Sequence, residues 1–161
     1  MEQLFIKTED TIRSCAFTGH RHLEDDFSEK KLKKEIKHLI KEGVTTFYTG
    51  MAMGFDMLAA ELVLSFKKKY DIKLVCCIPC DNQDLYFSNS DKIRYAQILQ
   101  SADEKVQTST HYTKDCMHKR NRYMCDHADV LIAYCNRDTG GTAYTVSYFK
   151  KQKPFNPIIL L

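Results

Sequence analysis

Three short segments combine glycine with hydroxyl and charged residues, a composition that suits the binding of phosphate groups. They are Thr18-Gly19-His20-Arg21, the segment from Gly50 to Asp56, and Gly140-Gly141-Thr142. Glycine allows tight turns and a close approach of backbone N–H groups to a phosphate, and a helix N-terminus adds about half a positive charge. Arg21, Thr142 and Thr145 can donate further hydrogen bonds. Each segment alone is typical of a turn, but the three together predict a ligand site.

Two carboxylates near the second segment are candidates for catalysis. Asp56 opens a predicted helix, where the helix dipole favours an acid, and it could equally bind ribose hydroxyls or activate water. Glu61 follows about one turn later and is either a second catalytic candidate or a solvated side chain. The sequence leaves both assignments open.

A basic cluster, Arg120-Asn121-Arg122, has two interpretations. It lies on the helix predicted before the fifth strand. As an anion clamp, its arginines would pair with phosphate oxygens while Asn121 contacted a base or a ribose. As an exposed basic turn it would have no role in binding. The spacing alone favours the exposed turn.

The cysteines and histidines do not predict a metal site. The segment Cys76–Cys80 contains one CxxC pair, but no second pair follows at the distance of a zinc ribbon. The pairs Cys116–His118 and Cys125–His127 fall in a predicted helix, where residues two apart diverge by about 200° and chelate poorly. We therefore expect no metal.

The elements that must position these residues alternate between short apolar strands and longer amphipathic helices. Strands are predicted at residues 12–17, 44–49, 72–78, 105–108, 130–134 and 157–161. Helices are predicted at residues 28–42, 55–70, 90–102 and 113–127, with a last one from Gly140-Gly141 to about residue 151. Leu32, Ile36 and Leu39 show the helical spacing most clearly.

This alternation predicts the fold class. Strands that alternate with helices of 10–16 residues form crossover units and a mostly parallel sheet. We expect an α/β protein with a single Rossmann-like, doubly wound domain over residues 1–161 and a sheet of about six strands. In such sheets the ligand binds outside the carboxyl ends of the strands, where the strand order reverses. The three glycine-bearing segments follow the first, second and fifth strands, so they are expected to meet there.

Composition narrows the partners and the compartment. The formal charge of +3 is too small to predict nucleic-acid binding by itself, and the lysines at 30–34 and 67–69 are typical of solvated helix faces rather than a phosphate-binding stripe. No apolar run reaches the length of a membrane span, and Glu2, Lys7, Glu9 and Asp10 do not fit a signal peptide. Seven cysteines without a disulfide-framework spacing favour a reducing cytoplasm. A homo-oligomer remains open.

Taken as an ordered set, these motifs resemble the SLOG superfamily. The segments that carry the resemblance are 18–21, 50–56, 120–124, 128–133 and 140–146. The chain is particularly similar to the YpsA/YoqJ-like group of Gram-positive bacteria and their phages, from about Cys15 to Phe149. The superfamily is Rossmann-like and includes the LOG phosphoribohydrolases, the DNA-processing protein DprA and sensor domains of bacterial conflict systems.

The resemblance implies a site that binds a nucleotide or a nucleotide-derived molecule. It adds Gln83 and Tyr112, which follow the third and fourth strands. The candidate ligand-binding residues are then Thr18, Gly19, His20, Arg21, Gly50, Ala52, Gly54, Asp56, Gln83, Arg120, Asn121, Gly140, Gly141, Thr142 and Thr145. LOG enzymes carry a glutamate after their glycine pair, whereas the residues that follow Gly141 here, up to Ser147, include no carboxylate. This departure favours binding over LOG-type hydrolysis.

Three functions follow from these observations. The leading one is binding of a nucleotide-derived small molecule by a sensor or carrier, with no required cofactor beyond that bound nucleotide derivative. The second is an N-glycosidase of the phosphoribohydrolase type, acting on a nucleotide or an NAD-like substrate through Asp56 or Glu61. The third is single-stranded nucleic-acid binding as in DprA, for which tyrosines and phenylalanines would supply stacking surfaces. The small net charge ranks this third function lowest.

Overall fold

The computed structural model describes residues 12–161, so the prediction about a signal peptide, which concerns the first 11 residues, lies outside the described residues. The strands of the described range are β1 (Ser14–Gly19), β2 (Thr46–Thr49), β3 (Lys73–Ile78), β4 (Glu104–Gln107), β5 (Val130–Tyr134) and β6 (Ile158–Leu160). The helices of that range are α1 (Glu29–Lys41), α2 (Phe55–Phe66), α3 (Asn89–Ser101), α4 (Cys116–His127) and α5 (Gly141–Gln152).

The six strands form one sheet in the order β4-β3-β2-β1-β5-β6, and every pairing is parallel. The chain runs outward from β1 to β4 and then crosses to the other side of β1 to add β5 and β6. The strand order therefore reverses between β1 and β5, whose register pairs Cys15 with Val130 and Thr18 with Ala133. This arrangement confirms the predicted Rossmann-like class and places the expected crevice at the carboxyl ends of these two central strands.

Helices cover both faces of the sheet, because the crossover helices that connect parallel strands lie on its faces and the central strands are apolar on both sides. On one face, α1, α2 and α3 pack on alternate strand residues such as Phe17, Phe47 and Leu74. On the other face, α4 and α5 pack on the intervening residues such as Ala16 and Leu131. All five residues of β5 are buried. The two clusters of buried side chains fix which way each strand-end residue points.

The helix starts differ in a way that matters for the site. The side chains of Ser28 and Ser88 cap α1 and α3 by accepting hydrogen bonds from the third following amide. Helices α2 and α5 instead have Gly54 and Gly140 at the capping position, with no side-chain cap. The first-turn N–H groups of α2 and α5 thus depend on other partners.

The predicted element bounds are correct to within a few residues. Helix α2 ends at Phe66 rather than at residue 70, since residues 67–69 form a turn, and α4 begins at Cys116 rather than at residue 113. Lysines 30, 31, 33 and 34 on α1 are exposed, as expected for a solvated face. Within the described range, no helix combines the length and the apolar character that a membrane crossing requires.

Candidate functional site

Two glycines, Gly19 and Gly54, allow the loop after β1 to pack against the loop after β2. A Cβ at Gly19 would lie 2.3 Å from the ring of Phe55, and a Cβ at Gly54 would lie 2.1 Å from the carbonyl oxygen of Arg21. Gly54 also has a φ of +76°, which other residues rarely adopt. The N–H of Phe55 donates to the carbonyl of His20 over 3.2 Å. Gly19 and Gly54 therefore serve the packing of the first loop on the start of α2.

A second contact gathers three segments around the carbonyl oxygen of Gly50. That oxygen accepts a hydrogen bond from Nη1 of Arg120 and another, 2.9 Å long, from Nε2 of Gln83. Gln83 in turn accepts a 2.9 Å bond from the hydroxyl of Tyr95. A Cβ at Gly50 would lie 2.8 Å from Cζ of Arg120, so only glycine fits beneath the guanidinium. The loops after β2 and β3 and the helix α4 are thereby fixed to one another.

Arg120 is the residue for which the favoured sequence interpretation is wrong. Its side chain is 4% exposed rather than part of an exposed basic turn. Besides Gly50, it donates to the carbonyl of Cys77 over 3.3 Å and, through Nε, to Oδ1 of Asn121 over 2.7 Å. A buried guanidinium is stable only when its donors are paired, and backbone carbonyls at the strand ends meet that need. Arg120 therefore shapes the site from beneath, while the amide of Asn121 remains partly exposed.

Asp56 is buried beside this arginine, with an exposed fraction of 6%. One carboxylate oxygen, Oδ2, accepts a 3.3 Å bond from the N–H of Ala52. The other, Oδ1, is buried and has no hydrogen-bond partner among residues 12–161. Burial raises the pKa of Asp56 to about 6, and the positive charge of Arg120 opposes part of that rise. An unpaired buried acceptor is costly, which agrees with the raised pKa of this carboxyl.

The loop that leads to Asp56 is held in a strained shape. Met51 has a φ of +62° although it is not glycine, and its side chain is fully buried. The hydroxyl of Thr49 accepts from the N–H of Met51 over 3.3 Å and donates to the backbone carbonyl of Asp56 over 3.0 Å. Such strain persists only where the surroundings enforce it, and it is frequent at functional sites.

The start of α5 is open, in contrast to the crowded glycines of the first two loops. A Cβ at Gly140 or at Gly141 would meet no atom within 4 Å. Thr142 and, at the end of β1, Thr18 are 8% and 7% exposed, and neither hydroxyl has a hydrogen-bond partner in the described part of the chain. Thr18 alternates with Phe17 and so points to the sheet face that α5 covers. Thr145 is already satisfied, because its hydroxyl donates to the carbonyl of Gly141 over 2.9 Å.

The opposite side of the β1–β5 junction is closed by a polar network. The hydroxyl of Tyr134 donates to Asp26 over 2.6 Å, and the side-chain amide of Asn136 donates to Glu24 over 2.7 Å. His20 is buried in this network, where Nε2 accepts a 3.0 Å bond from the N–H of Asn136. Burial lowers the pKa of His20, which favours the neutral ring that can accept this bond. His20 therefore positions the loop after β5.

Two predicted residues lie apart from this arrangement. Glu61 forms a two-point ion pair with Arg94, at 2.7 and 3.0 Å, and lines a cavity of about 260 Å³ between α2 and α3. Arg21 is exposed and forms no side-chain hydrogen bond within residues 12–161, so its guanidinium is free to meet a ligand at the rim.

Two features of the strand ends were not predicted from the sequence. Tyr86, in the loop after β3, is 92% exposed and accompanies Tyr112 of the loop after β4, which is also exposed. The two loops are tied by a 2.9 Å bond from the N–H of Asp81 to the carbonyl of Thr110. The second feature is the raised pKa of the Cys80 thiol, which burial causes first and the neighbouring Cys116 increases further. Exposed aromatic residues in strand-end loops are a signal that could have identified Tyr86, whereas nothing in the spacing indicates that Cys116 is a neighbour of Cys80.

The chemistry available at this edge is donor-rich. The uncapped N-terminus of α5, the hydroxyls of Thr18 and Thr142, and Arg21 all offer hydrogen-bond donors, which suit a phosphate group. The partly exposed amide of Asn121 can contact polar groups of a base or a sugar, whereas the carboxyl of Asp56 is buried beside Arg120. The edge thus combines features that suit an anion with features that suit a neutral polar moiety.

Comparison with known proteins yields one family and several relatives. The model of the YspA SLOG family, YpsA, matches residues 16–158. The SPbeta prophage-derived protein YoqJ of Bacillus subtilis is 31% identical over 139 residues, which cover 75% of this chain and 81% of YoqJ. A UPF0398 protein of Halalkalibacterium halodurans is 25% identical over 143 residues, covering 86% of this chain and 76% of that protein.

Solved structures show the same fold. DprA from Helicobacter pylori, whose structure concerns its single-stranded DNA binding mode, matches with a TM-score of 0.67 and 20% identity over 96% of this chain and 67% of that one. DprA from Streptococcus pneumoniae matches with a TM-score of 0.68 and 17% identity over 94% of this chain and 51% of that one. The chain thus spans about two thirds and about half of these two proteins, and the likeness shows the shared Rossmann-like architecture.

Proposed function

This chain belongs to the YspA SLOG family, and on that premise we propose that it binds a nucleotide or nucleotide-derived small molecule as a sensor or carrier. The ligand lies at the carboxyl ends of β1 and β5, against the start of α5. The observation that carries the proposal is the open space over Gly140 and Gly141, on the sheet face where the hydroxyls of Thr18 and Thr142 have no hydrogen-bond partner within residues 12–161.

The physical argument rests on hydrogen bonds that the protein leaves unmade. The first N–H groups of a helix have no partner within the helix, and α5 begins with a glycine that cannot cap them. A phosphate group accepts from such N–H groups and gains from the helix dipole. The hydroxyls of Thr18 and Thr142 add two donors within the same sheet face. A bound phosphate would satisfy all of these groups at once.

Binding without hydrolysis fits the carboxylates better than an N-glycosidase does. Glu61 is held in its ion pair with Arg94 on the side of α2 that faces α3. Asp56 is buried, and its carboxyl is held by a backbone N–H instead of being presented to solvent. A nucleotide hydrolase needs a carboxylate that reaches the sugar or a water molecule. We therefore propose that Asp56 supports the site from its buried position beside Arg120.

Calorimetric titration of the purified protein tests the proposal. The panel is NAD, ADP-ribose, cyclic nucleotides and nucleoside monophosphates, and the key variant is Gly141→Val. A valine side chain would stand in the open space where the phosphate is expected, and its Cβ would meet no atom of another segment within 4 Å. We expect the wild type to bind at least one member and the variant to bind it at least about tenfold more weakly, a loss of about 1.4 kcal/mol.

The matched control is Asn89→Val. Asn89 is also the first residue of a helix and is exposed, but the side chain of Ser88 caps that helix. This control should bind as the wild type does. The absence of heat with every member of the panel, or equal affinity of wild type and Gly141→Val, would contradict the proposal.

A second candidate function, single-stranded nucleic-acid binding, is favoured by the exposed tyrosines. Tyr86 and Tyr112 lie in adjacent loops at the same edge of the sheet as the proposed ligand site. Stacking of a base on an aromatic side chain contributes about 1–3 kcal/mol. The fold that the chain shares with DprA is compatible with this function.

Fluorescence anisotropy with a labelled single-stranded oligonucleotide at low salt tests this second function. Tyr86→Ala and Tyr112→Ala should each weaken binding about fivefold or more. Phe155→Ala is the control, because Phe155 is 98% exposed but precedes β6 and so lies at the opposite edge of the sheet. Failure to bind at low salt, or an equal loss with all three variants, excludes this surface.

The compartment in which we place this binding is the cytoplasm. All seven cysteines of the chain are free, and six of them are buried. Free buried thiols are usual in a reducing compartment.

A further inference from the structure

Two aromatic rings stack where α4 and α5 begin. The rings of His118 and Tyr144 have their centroids 3.9 Å apart and lie within 11° of parallel. His118 is in the first turn of α4, and Tyr144 is in the first turn of α5. Both helices follow strands of the parallel sheet, so both begin at the edge where the strands have their carboxyl ends. This ring pair therefore lies at the same edge as the proposed ligand site.

The histidine of the ring pair has a free face. The side chain of His118 is 41% exposed. Tyr144 covers one face of the imidazole and is the only aromatic residue within residues 12–161 that packs on it. The exposed surface of His118 therefore includes the opposite face of the ring, where a further flat ring can stack.

Polar contacts hold the ring pair in its orientation. Nη1 of Arg122 donates to the hydroxyl of Tyr144 over 2.9 Å, and Nη2 donates to Asp115 over 2.7 Å. Nδ1 of His118 lies 3.9 Å from Oδ1 of the same aspartate. Because these groups already hold one another, a ligand that stacks on His118 loses less conformational entropy than one that must order a mobile side chain.

The ring pair lies within reach of the expected phosphate. The N–H of Tyr144 donates to the carbonyl of Gly140 over 2.9 Å, so the two residues are one helical turn apart, about 5.4 Å along the axis. Aromatic side chains in helices lean toward the helix N-terminus, which brings the ring of Tyr144 toward the open space over Gly140 and Gly141. The ribose of a nucleotide joins a phosphate to a base across a gap of this order.

We propose that the free face of His118 stacks on the base of the nucleotide whose phosphate lies at the start of α5. Base recognition at this position rests on the proposed nucleotide binding and deepens it. Every base has a flat π face, so stacking on an aromatic side chain favours nucleotides over sugar phosphates. Asn121, about one turn after His118, can donate to a ring nitrogen of the base, because its Oδ1 already accepts from Arg120.

The core of the interface between α4 and α5 lies away from the ring pair. It is formed by buried side chains that include Met124 and Cys125 of α4 and Val146 and Phe149 of α5. His118 is outside this group. A change at His118 can therefore alter ligand binding while the packing of the two helices is kept.

Ligand-observed NMR titration of the full chain with AMP and with ribose 5-phosphate tests the proposal. Ribose 5-phosphate carries the sugar and the phosphate but no base. We expect the wild type to bind AMP at least about fivefold more tightly than ribose 5-phosphate, which is the contribution of one stacked base. The base protons of bound AMP should shift upfield, because they lie over the ring of His118.

Two substitutions at the same position separate stacking from a structural role. His118→Leu removes the flat ring, and it should weaken AMP binding at least about fivefold, abolish the upfield shift and leave ribose 5-phosphate binding unchanged. His118→Phe restores a flat ring and should bind both probes as the wild type does. The matched control is His127→Leu, which should also bind as the wild type. His127 packs on Tyr123 with centroids 4.1 Å apart, but it is the last residue of α4 and lies at the opposite edge of the sheet.

Stacking on His118 is refuted if the wild type binds both probes equally, or if His118→Leu weakens neither probe or both to the same extent. An equal loss of AMP binding in His118→Leu and His118→Phe refutes it as well. Gly141→Val should weaken both probes, because it blocks the phosphate. Ribose 5-phosphate binding that Gly141→Val removes, without a preference for AMP, would leave the phosphate site standing and refute only the stacking. If the wild type binds neither probe, the stacking is refuted, whereas the proposed function is decided by the wider titration panel.

Discussion

Replacing Asp56 by asparagine probes the buried carboxyl beside Arg120. Asparagine keeps the size of the side chain and can still accept a hydrogen bond from the N–H of Ala52, but it cannot ionise. Burial raises the pKa of Asp56 from the ordinary aspartate value of 3.8 to about 6. Between these values the folded protein binds more protons at this residue than the unfolded chain does. Stability from this group therefore falls as the pH rises.

The magnitude follows from the two pKa values. A pKa moved from 3.8 to about 6 corresponds to about 3 kcal/mol, since each pH unit is worth about 1.36 kcal/mol. This stability is fully present below pH 3.8 and is lost as the pH rises through about 6. Roughly half of it, about 1.5 kcal/mol, disappears between pH 5 and pH 8. The variant lacks this loss because it has no carboxyl to ionise.

Urea unfolding of wild type and Asp56→Asn at several pH values between 5 and 8 measures the effect. The free energy of unfolding of the variant minus that of the wild type should increase by about 1.5 kcal/mol across this range. Subtraction at each pH removes the contributions of all other titrating groups and any constant cost of the substitution. Asp25→Asn, at an exposed carboxylate, is the control and should give a constant difference. A constant difference for Asp56→Asn as well would refute the argument that burial dominates at this residue.

Gly54→Ala and Arg120→Met test the contacts that shape the site, and Gly140→Ala serves as the comparison for the first of them. Gly54→Ala should lower the free energy of unfolding by about 2–5 kcal/mol, because the new Cβ meets a backbone oxygen at a positive φ. Gly140→Ala, also at a positive φ but in open space, should cost only about 1–2 kcal/mol in the same urea experiment, and equal losses would contradict the close approach at Gly54. Arg120→Met should cost about 3–5 kcal/mol and move the Asp56 titration to higher pH, measured by the pH series above; an unchanged titration midpoint would contradict the coupling.

The architecture was predictable because the strands and helices carry local signals. Residues 130–134 form a continuous apolar run that ends before polar residues, and α1 shows Leu32, Ile36 and Leu39 at helical spacing. These patterns reflect burial on both faces of a sheet or on one face of a helix, which each segment expresses by itself. The errors at the ends of α2 and α4 arise where turns continue the helical spacing for a few residues.

The environment of individual site residues was less predictable, because it depends on contacts between distant segments. The sequence around Arg120 is strongly polar, so an exposed turn is the natural interpretation. Its burial depends on carbonyls at positions 50 and 77, which only the folded sheet brings within reach. The effect of Cys116 on the pKa of Cys80 has the same origin. The local sequence around a residue does not indicate which distant residues it will contact.

The glycines divide into two classes that the sequence cannot separate. Gly19, Gly50 and Gly54 are required by neighbouring atoms of the protein itself, so any substitution there disturbs the fold before it can report on a ligand. Gly140 and Gly141 face open space, and only Gly141 also has an ordinary backbone conformation. A glycine that no protein atom and no φ angle requires is one whose side chain can be changed without a structural cost. Loss of binding in Gly141→Val, with unchanged stability, would therefore identify a ligand requirement that substitutions at Gly19, Gly50 or Gly54 cannot reveal.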